Sequence, residues 1–293
     1  MFFLSCTAGS LSADGIDSVE SESALRRLLY QIYSGNNAVL NRPTVEIAYG
    51  ASSLTLPVEG FKGTIAPTYS TELRYGFTRL NEYMPASGVF HYAGEYVSMM
   101  NQSSNMSLLS KPPSDETISD YWRFALSSVN GYGYNDGVLK GLTFIHAGRI
   151  TWAELDIMLP TPFPEDDKYF DKIDEKTKFG IAFESSIKYR LSDVIFVNLS
   201  YEHNLIYPNF SFGQWILGSG TELMLQRGVD FVGFSYMYDN PKLYPVANFA
   251  VKTLISFVLY ELRRENQFIP FYSDTPYSYD GFKLGMTFAF RDE

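Results

Sequence analysis

Residues 179–207 alternate with a period of two, and no other stretch limits the fold as strongly. Phe179, Ile181, Phe183, Ser185, Ile187, Tyr189 and Leu191 occupy one phase. Gly180, Ala182, Glu184, Ser186, Lys188 and Arg190 occupy the other. Successive side chains of a strand point to opposite faces, so this pattern describes a strand with one apolar and one polar face. After Ser192 and Asp193 it resumes, with Ile195, Val197, Leu199, Tyr201, His203, Leu205 and Tyr207 on the apolar side. Asn198, Ser200, Glu202 and Asn204 lie opposite, and the two runs make a hairpin.

Similar runs fall at 44–52, 68–80, 88–100, 119–130, 141–157, 214–226, 229–239, 247–262, 267–273 and 281–290, so the expectation is about 12 strands. Short links at 192–193, 227–228 and 263–266 contrast with long ones such as 53–67, 101–118 and 158–178. A spanning barrel alternates short turns at one end with longer loops at the other, and an even strand number returns the chain to the end where it started.

Alternation by itself leaves a soluble sandwich open, because its sheets also bury one face. Several runs reach about ten residues, the length of a tilted membrane strand, whereas ordinary globular strands have about five or six. Tyr189, Tyr201 and Tyr207 near strand ends suit an interfacial aromatic girdle. The 23 Phe and 22 Tyr beside only 19% charged residues, with mean hydropathy −0.11, fit an aromatic, weakly charged wall. The longest apolar stretch, 246–262, is interrupted by Asn248, Lys252, Thr253 and Ser256, and is read as a strand rather than a membrane helix.

The chain closes with Lys283, Gly285, Phe288 and Phe290 in an alternating run, followed by Arg291, Asp292 and Glu293. This resembles the C-terminal β-signal of bacterial outer-membrane β-barrel proteins, although in that family the last aromatic usually ends the chain. The resemblance implies an all-β fold, a transmembrane antiparallel up-and-down β-barrel, located in the bacterial outer membrane. It also implies outer-membrane lipid and the barrel-assembly machinery as partners. No subfamily is identified.

Residues 14–43 form an N-terminal segment, periplasmic or plug-like, with a short amphipathic helix expected over 14–37, and the barrel is expected over 44–293. Residues 1–13 look like the tail of an export signal. Either it is an ordinary signal cleaved among the small residues from Ala8 to Ala13, or a loose lipobox with Cys6 lipidated.

Net charge of −10 without a cluster of Lys and Arg argues against nucleic acid. The single cysteine excludes an intrachain disulfide. Acidic residues over 164–175 are interspersed with lysines and read as a solvated loop rather than a cation site. No histidine is followed two positions on by serine, since Ala93, Gly148 and Leu205 follow His91, His146 and His203. That removes the within-strand His-x-Ser arrangement that activates a serine, so no catalytic residue, metal or cofactor is expected.

The residues expected to line a lumen are Glu72, Arg74, Glu184, Lys188, Arg190, Asn198, Glu202, Glu222, Gln226, Lys252 and Lys283. Both signs occur, which points first to a narrow channel or uptake pore for small polar solutes. A closed, non-enzymatic surface or assembly protein is the alternative, and a lipid-modifying enzyme a third.

Overall fold

In the computed structural model the described residues are 42–57, 65–84, 88–106, 116–158, 176–209, 240–266 and 275–290, with separate positions between 222 and 233. The export-signal, N-terminal helical and acidic-loop expectations, together with Cys6, lie outside them.

Eight strands follow the alternation: β1 (Arg42–Thr55), β2 (Thr68–Met84), β3 (Val89–Ser103), β4 (Ile118–Tyr134), β5 (Leu142–Met158), β6 (Lys178–Arg190), β7 (Ile195–Tyr207) and β8 (Tyr277–Ala289). Each pairs antiparallel with its chain neighbour, and β8 pairs with β1 from Thr44↔Ala289 to Thr55↔Ser278. The sheet closes on itself, so no edge strand is left with unpaired backbone groups.

The expectation of about 12 strands is therefore corrected to eight. The run at 247–262 lies within a helix, α1 (Tyr244–Asn266), and the described positions from 222 to 233 are helical. The run at 267–273 falls outside the described residues. The physical reason is visible along α1, where the polar residues recur every four positions rather than every two. Tyr244, Asn248, Lys252, Ser256 and Tyr260 share one buried stripe, which is the repeat of a helix face.

Short connections at 85–88, 135–141 and 191–194 lie at the barrel end that also holds the start of β1 and the end of β8. At the first of these ends Gly141 adopts φ 89°, a left-handed conformation that costs other residues strain, and its N–H donates to the Tyr134 carbonyl at 2.8 Å. The long connections, 56–67, 104–117, 159–177 and 208–276, leave and rejoin the sheet at the other end.

The barrel is inverted relative to a soluble protein. Leu73, Phe77, Phe124, Leu199 and Leu284 are exposed, whereas Glu72, Arg74, Arg123, Glu184 and Lys283 are buried. With its 23 residues α1 is about 34 Å long. It packs against β4 to β7, and its partners Tyr132, Phe144, His146, Ser185 and His203 all have the outward phase. The helix thus lies along the outer wall. Its free side shows Val251, Leu254, Val258 and Leu262. Among the described residues it is the one helix whose length and composition would allow a membrane crossing.

Candidate functional site: a closed lumen and a polar seam on the outer wall

Strand alternation sends Glu46 from β1, Glu72 and Arg74 from β2, Arg123 from β4, Arg149 from β5, Glu184 and Lys188 from β6, Glu202 from β7 and Lys283 from β8 into the lumen. There four carboxylates face five cations. Arg74 holds Glu184 through both guanidinium nitrogens, at 3.0 and 2.7 Å, and reaches Glu72 and Glu46 at 2.6 Å each. Arg149 bonds Glu72 at 3.0 Å and Glu184 at 2.6 Å, and also contacts Glu202. Arg123 joins Glu202 to Glu72. Lys283 meets Glu72, Glu202 and Glu184 at 2.6, 2.7 and 3.2 Å. Glu46 additionally takes Lys188 at 3.1 Å, Asn198 at 3.2 Å and Thr287 at 2.7 Å. Taking such ions out of water costs several kcal/mol each, by rough estimate, which only dense pairing of this kind offsets.

Apolar layers stand on both sides of the lattice. Toward the long-connection end Met100, Tyr121, Leu155, Ile206, Tyr277 and Tyr279 pack together, with the rings of Tyr121 and Tyr279 4.5 Å apart. Toward the short-turn end lie Phe90, Tyr92 and Ile145, with Leu80 and Val129 against them. Two spaces beside the lattice measure about 10 Å³ each. That is room for about one water molecule. The Nε atoms of Arg74 and Arg149, which line the first of these spaces, have no hydrogen-bond partner, so a water there has donors to meet.

Glu72, Glu184 and Glu202 bring carboxylate oxygens within 4.8 Å of one another, a donor set of the kind that suits a hard cation. Their oxygens are already engaged by arginine and lysine nitrogens, so the three residues serve as the anionic half of an ion-pair lattice.

Of the expected lumen residues, the structure places Glu72, Arg74, Glu184, Lys188, Asn198, Glu202 and Lys283 inside, and Arg190 in the same phase at the end of β6. Glu222, Gln226 and Lys252 are placed elsewhere, on the outer-wall insertion, because their segment is helical rather than a strand of the barrel. Glu46, Arg123 and Arg149 were missed, although Arg123 alternates with Trp122 and Phe124 as clearly as any residue named. In the terminal strand Lys283 and Gly285 take the lumen phase, while Phe288 and Phe290 face outward. A Cβ at Gly285 would stand 2.6 Å from Asn198 Oδ1, which gives that glycine a packing role.

The outer wall holds a second polar group, beneath α1. His146 Nε2 lies 2.7 Å from Ser256 Oγ, and His146 Nδ1 lies 3.3 Å from Ser185 Oγ. Ser185 also meets Thr253 at 2.9 Å. Gln226 donates to Ser256 at 3.2 Å and to Glu222 at 3.1 Å, and Arg263 pairs with Glu222. Lys252 reaches Asp230 at 2.7 Å. His203 bonds Asp280 at 3.0 Å, and Tyr260 donates to Asp280 at 2.7 Å. His203 is thus covered by α1 rather than standing free at an interface.

This seam has a histidine and serines in contact, which the search within single strands did not reveal. Ser256 is 2% exposed, and its hydroxyl lies 2.7 Å from His146 Nε2 and 3.4 Å from Glu222 Oε1, with Gln226 Nε2 3.4 Å from the same imidazole nitrogen. Among the described residues no carboxylate meets the imidazole to orient it as a base. The contacts satisfy polar groups that would otherwise be buried without partners between helix and wall.

No family model matches the chain, and no curated protein matches it. Solved structures with a similar outline are those of Neisserial surface protein A, of Ail, the attachment invasion locus protein of Yersinia pestis, in complex with the heparin analogue sucrose octasulfate, and of outer membrane protein OprG from Pseudomonas aeruginosa. Identities are 8%, 7% and 10%, with TM-scores of 0.36, 0.35 and 0.30. The alignments cover 85%, 86% and 87% of this chain and 97%, 99% and 98% of those chains. The chain itself is a closed eight-stranded antiparallel β-barrel.

Proposed function

We propose that this protein is a bilayer-spanning barrel of the bacterial outer membrane with a sealed lumen, acting as a non-conducting, non-enzymatic surface or assembly protein. The exposed apolar belt and polar interior support the membrane reading, since a soluble barrel would turn its apolar residues inward. Short turns and both barrel termini then lie on the periplasmic side, and the long connections outside. The observation that carries the sealed reading is the ion lattice capped by apolar layers at both ends. A pore for small polar solutes would need a continuous wet path, whereas the two spaces beside the lattice hold about 10 Å³ each among the described residues. Lys283, Gly285, Phe288 and Phe290 serve in this reading as the mark by which the assembly machinery recognises the last strand.

Planar-bilayer recording tests the proposal. The purified barrel is expected to insert without discrete conductance steps. Regular steps that persist across preparations would overturn the sealed reading and restore the channel for small polar solutes.

A further inference from the structure

The charges of the lumen lattice do not balance. Among the described residues its buried carboxylates are Glu46, Glu72, Glu184 and Glu202, and its buried cations are Arg74, Arg123, Arg149, Lys188 and Lys283. One positive charge is left over. Arginine does not deprotonate in proteins, and both lysines are held by carboxylates, Lys188 by Glu46 at 3.1 Å and Lys283 by Glu72 at 2.6 Å. The wall and the apolar layers separate the excess charge from bulk water, and an ion without a counter-charge is strongly disfavoured in such a medium.

One of the two small spaces beside the lattice is bordered by arginines of β2 and β5. Arg74 and Arg149 both line it, together with Tyr96, Ser127, Ser186 and Lys188. Each guanidinium gives its terminal nitrogens to carboxylates and keeps an Nε without a hydrogen-bond partner. A buried donor that meets no acceptor is costly, and here two of them belong to residues around one space. Asn198 Oδ1 is also unpartnered, but it is turned to Gly285, where an added Cβ would stand 2.6 Å from it. The space measures about 10 Å³, which suits one particle of about the size of water and excludes a phosphate or an organic acid.

We propose that the lumen binds one halide ion, chloride under ordinary conditions, between Arg74 and Arg149. The ion accepts from both Nε–H groups and cancels the fifth cation. Water meets the same donors but carries no charge, and a metal cation would add to the excess. A halide is somewhat larger than water, and the ends of Ser127, Ser186 and Lys188 yield to it by turning about their side-chain bonds. It enters while the strands close, since apolar layers then stand at both ends, and it becomes part of the folded lattice. This inference rests on the sealed lumen proposed above and adds a ligand to it.

The test folds the full chain into detergent micelles with sodium bromide as the salt, and diffraction at the bromine absorption edge locates the ion. An anomalous peak is expected within hydrogen-bond reach of both Nε atoms. Desalting into halide-free buffer and then unfolding in urea is expected to release a single bromide per chain. Lys188→Gln keeps a donor toward Glu46 and Tyr92 but removes the fifth cation, so it is expected to lose both the peak and the retained bromide. Density in that space without anomalous signal would mean water and would overturn the proposal. A peak of equal height in Lys188→Gln would overturn it too, as would bromide seen at crystal concentration only and not retained on desalting. The wild-type map and the desalting decide by themselves if the variant fails to fold. A barrel that is silent in the planar bilayer and holds no bromide sinks this inference alone, whereas conductance steps with bromide lost on desalting sink the sealed reading with it.

Discussion

Arg123 shows what one residue can carry here. It is among the largest fully buried side chains, and it ties Glu202 to Glu72 across the lumen. Removing one member of a buried pair leaves its partners charged without compensation, at a cost of about 3–5 kcal/mol. Arg123→Ala is expected to lose stability of that order in urea unfolding from lipid vesicles, and a loss under about 1 kcal/mol would contradict the lattice. Gly141 acts through the backbone instead. With φ 89° it should tolerate Ala poorly, at about 1 kcal/mol or more in the same assay. Arg123 could be read from sequence, since its neighbours Trp122 and Phe124 alternate with it. Which carboxylates it meets could not, because Glu72 and Glu202 come from strands remote in sequence.

Helix α1 is the element that sequence periodicity misassigned. Asn248, Lys252 and Ser256 looked like interruptions of an apolar run, yet their spacing of four is a helical stripe. A stripe that is polar and buried, backed by exposed Leu254 and Phe257, reverses the usual amphipathic helix, so a search for an apolar face does not find it. The seam predicts coupling between helix and wall. A double-mutant cycle of His146→Ala and Ser256→Ala should give an interaction of about 0.5–2 kcal/mol, as polar contacts between membrane segments do. Additive losses would place the helix elsewhere. A spin label at Leu254, introduced as Leu254→Cys in a Cys6→Ser background, should collide with dissolved oxygen rather than with a water-soluble nickel complex. The reverse preference would show that this face of α1 is in water.

At the scale of the molecule, closure of the sheet decides what the charges do. The lumen ions are enclosed by the wall and by apolar layers at both ends, so salt screens them far less than it would surface pairs. Unfolding midpoints in vesicles should therefore shift little between about 0.1 and 1 M salt, although the Debye length falls from roughly 10 to 3 Å. A steep loss of stability would mean that the lattice is open to solvent.

Local chemistry separated an apolar from a polar phase along each run, and the structure decided that the apolar one faces outward. A period of two with aromatic and aliphatic residues on one phase and ions on the other marks strands with one apolar and one polar face, and eight of the runs so marked are the eight that close. The even strand number was an assumption about where the termini lie, since the short link read at 263–266 falls within α1. Only the tertiary structure decided between eight strands and 12, because α1, in the insertion after β7, is helical and packs on the wall from outside. It alone decided that the lumen is filled, since pairing of Glu72, Arg123, Arg149 and Lys283 depends on how far across the barrel each side chain reaches. Those reaches follow from the diameter of the closed sheet, which no single strand encodes.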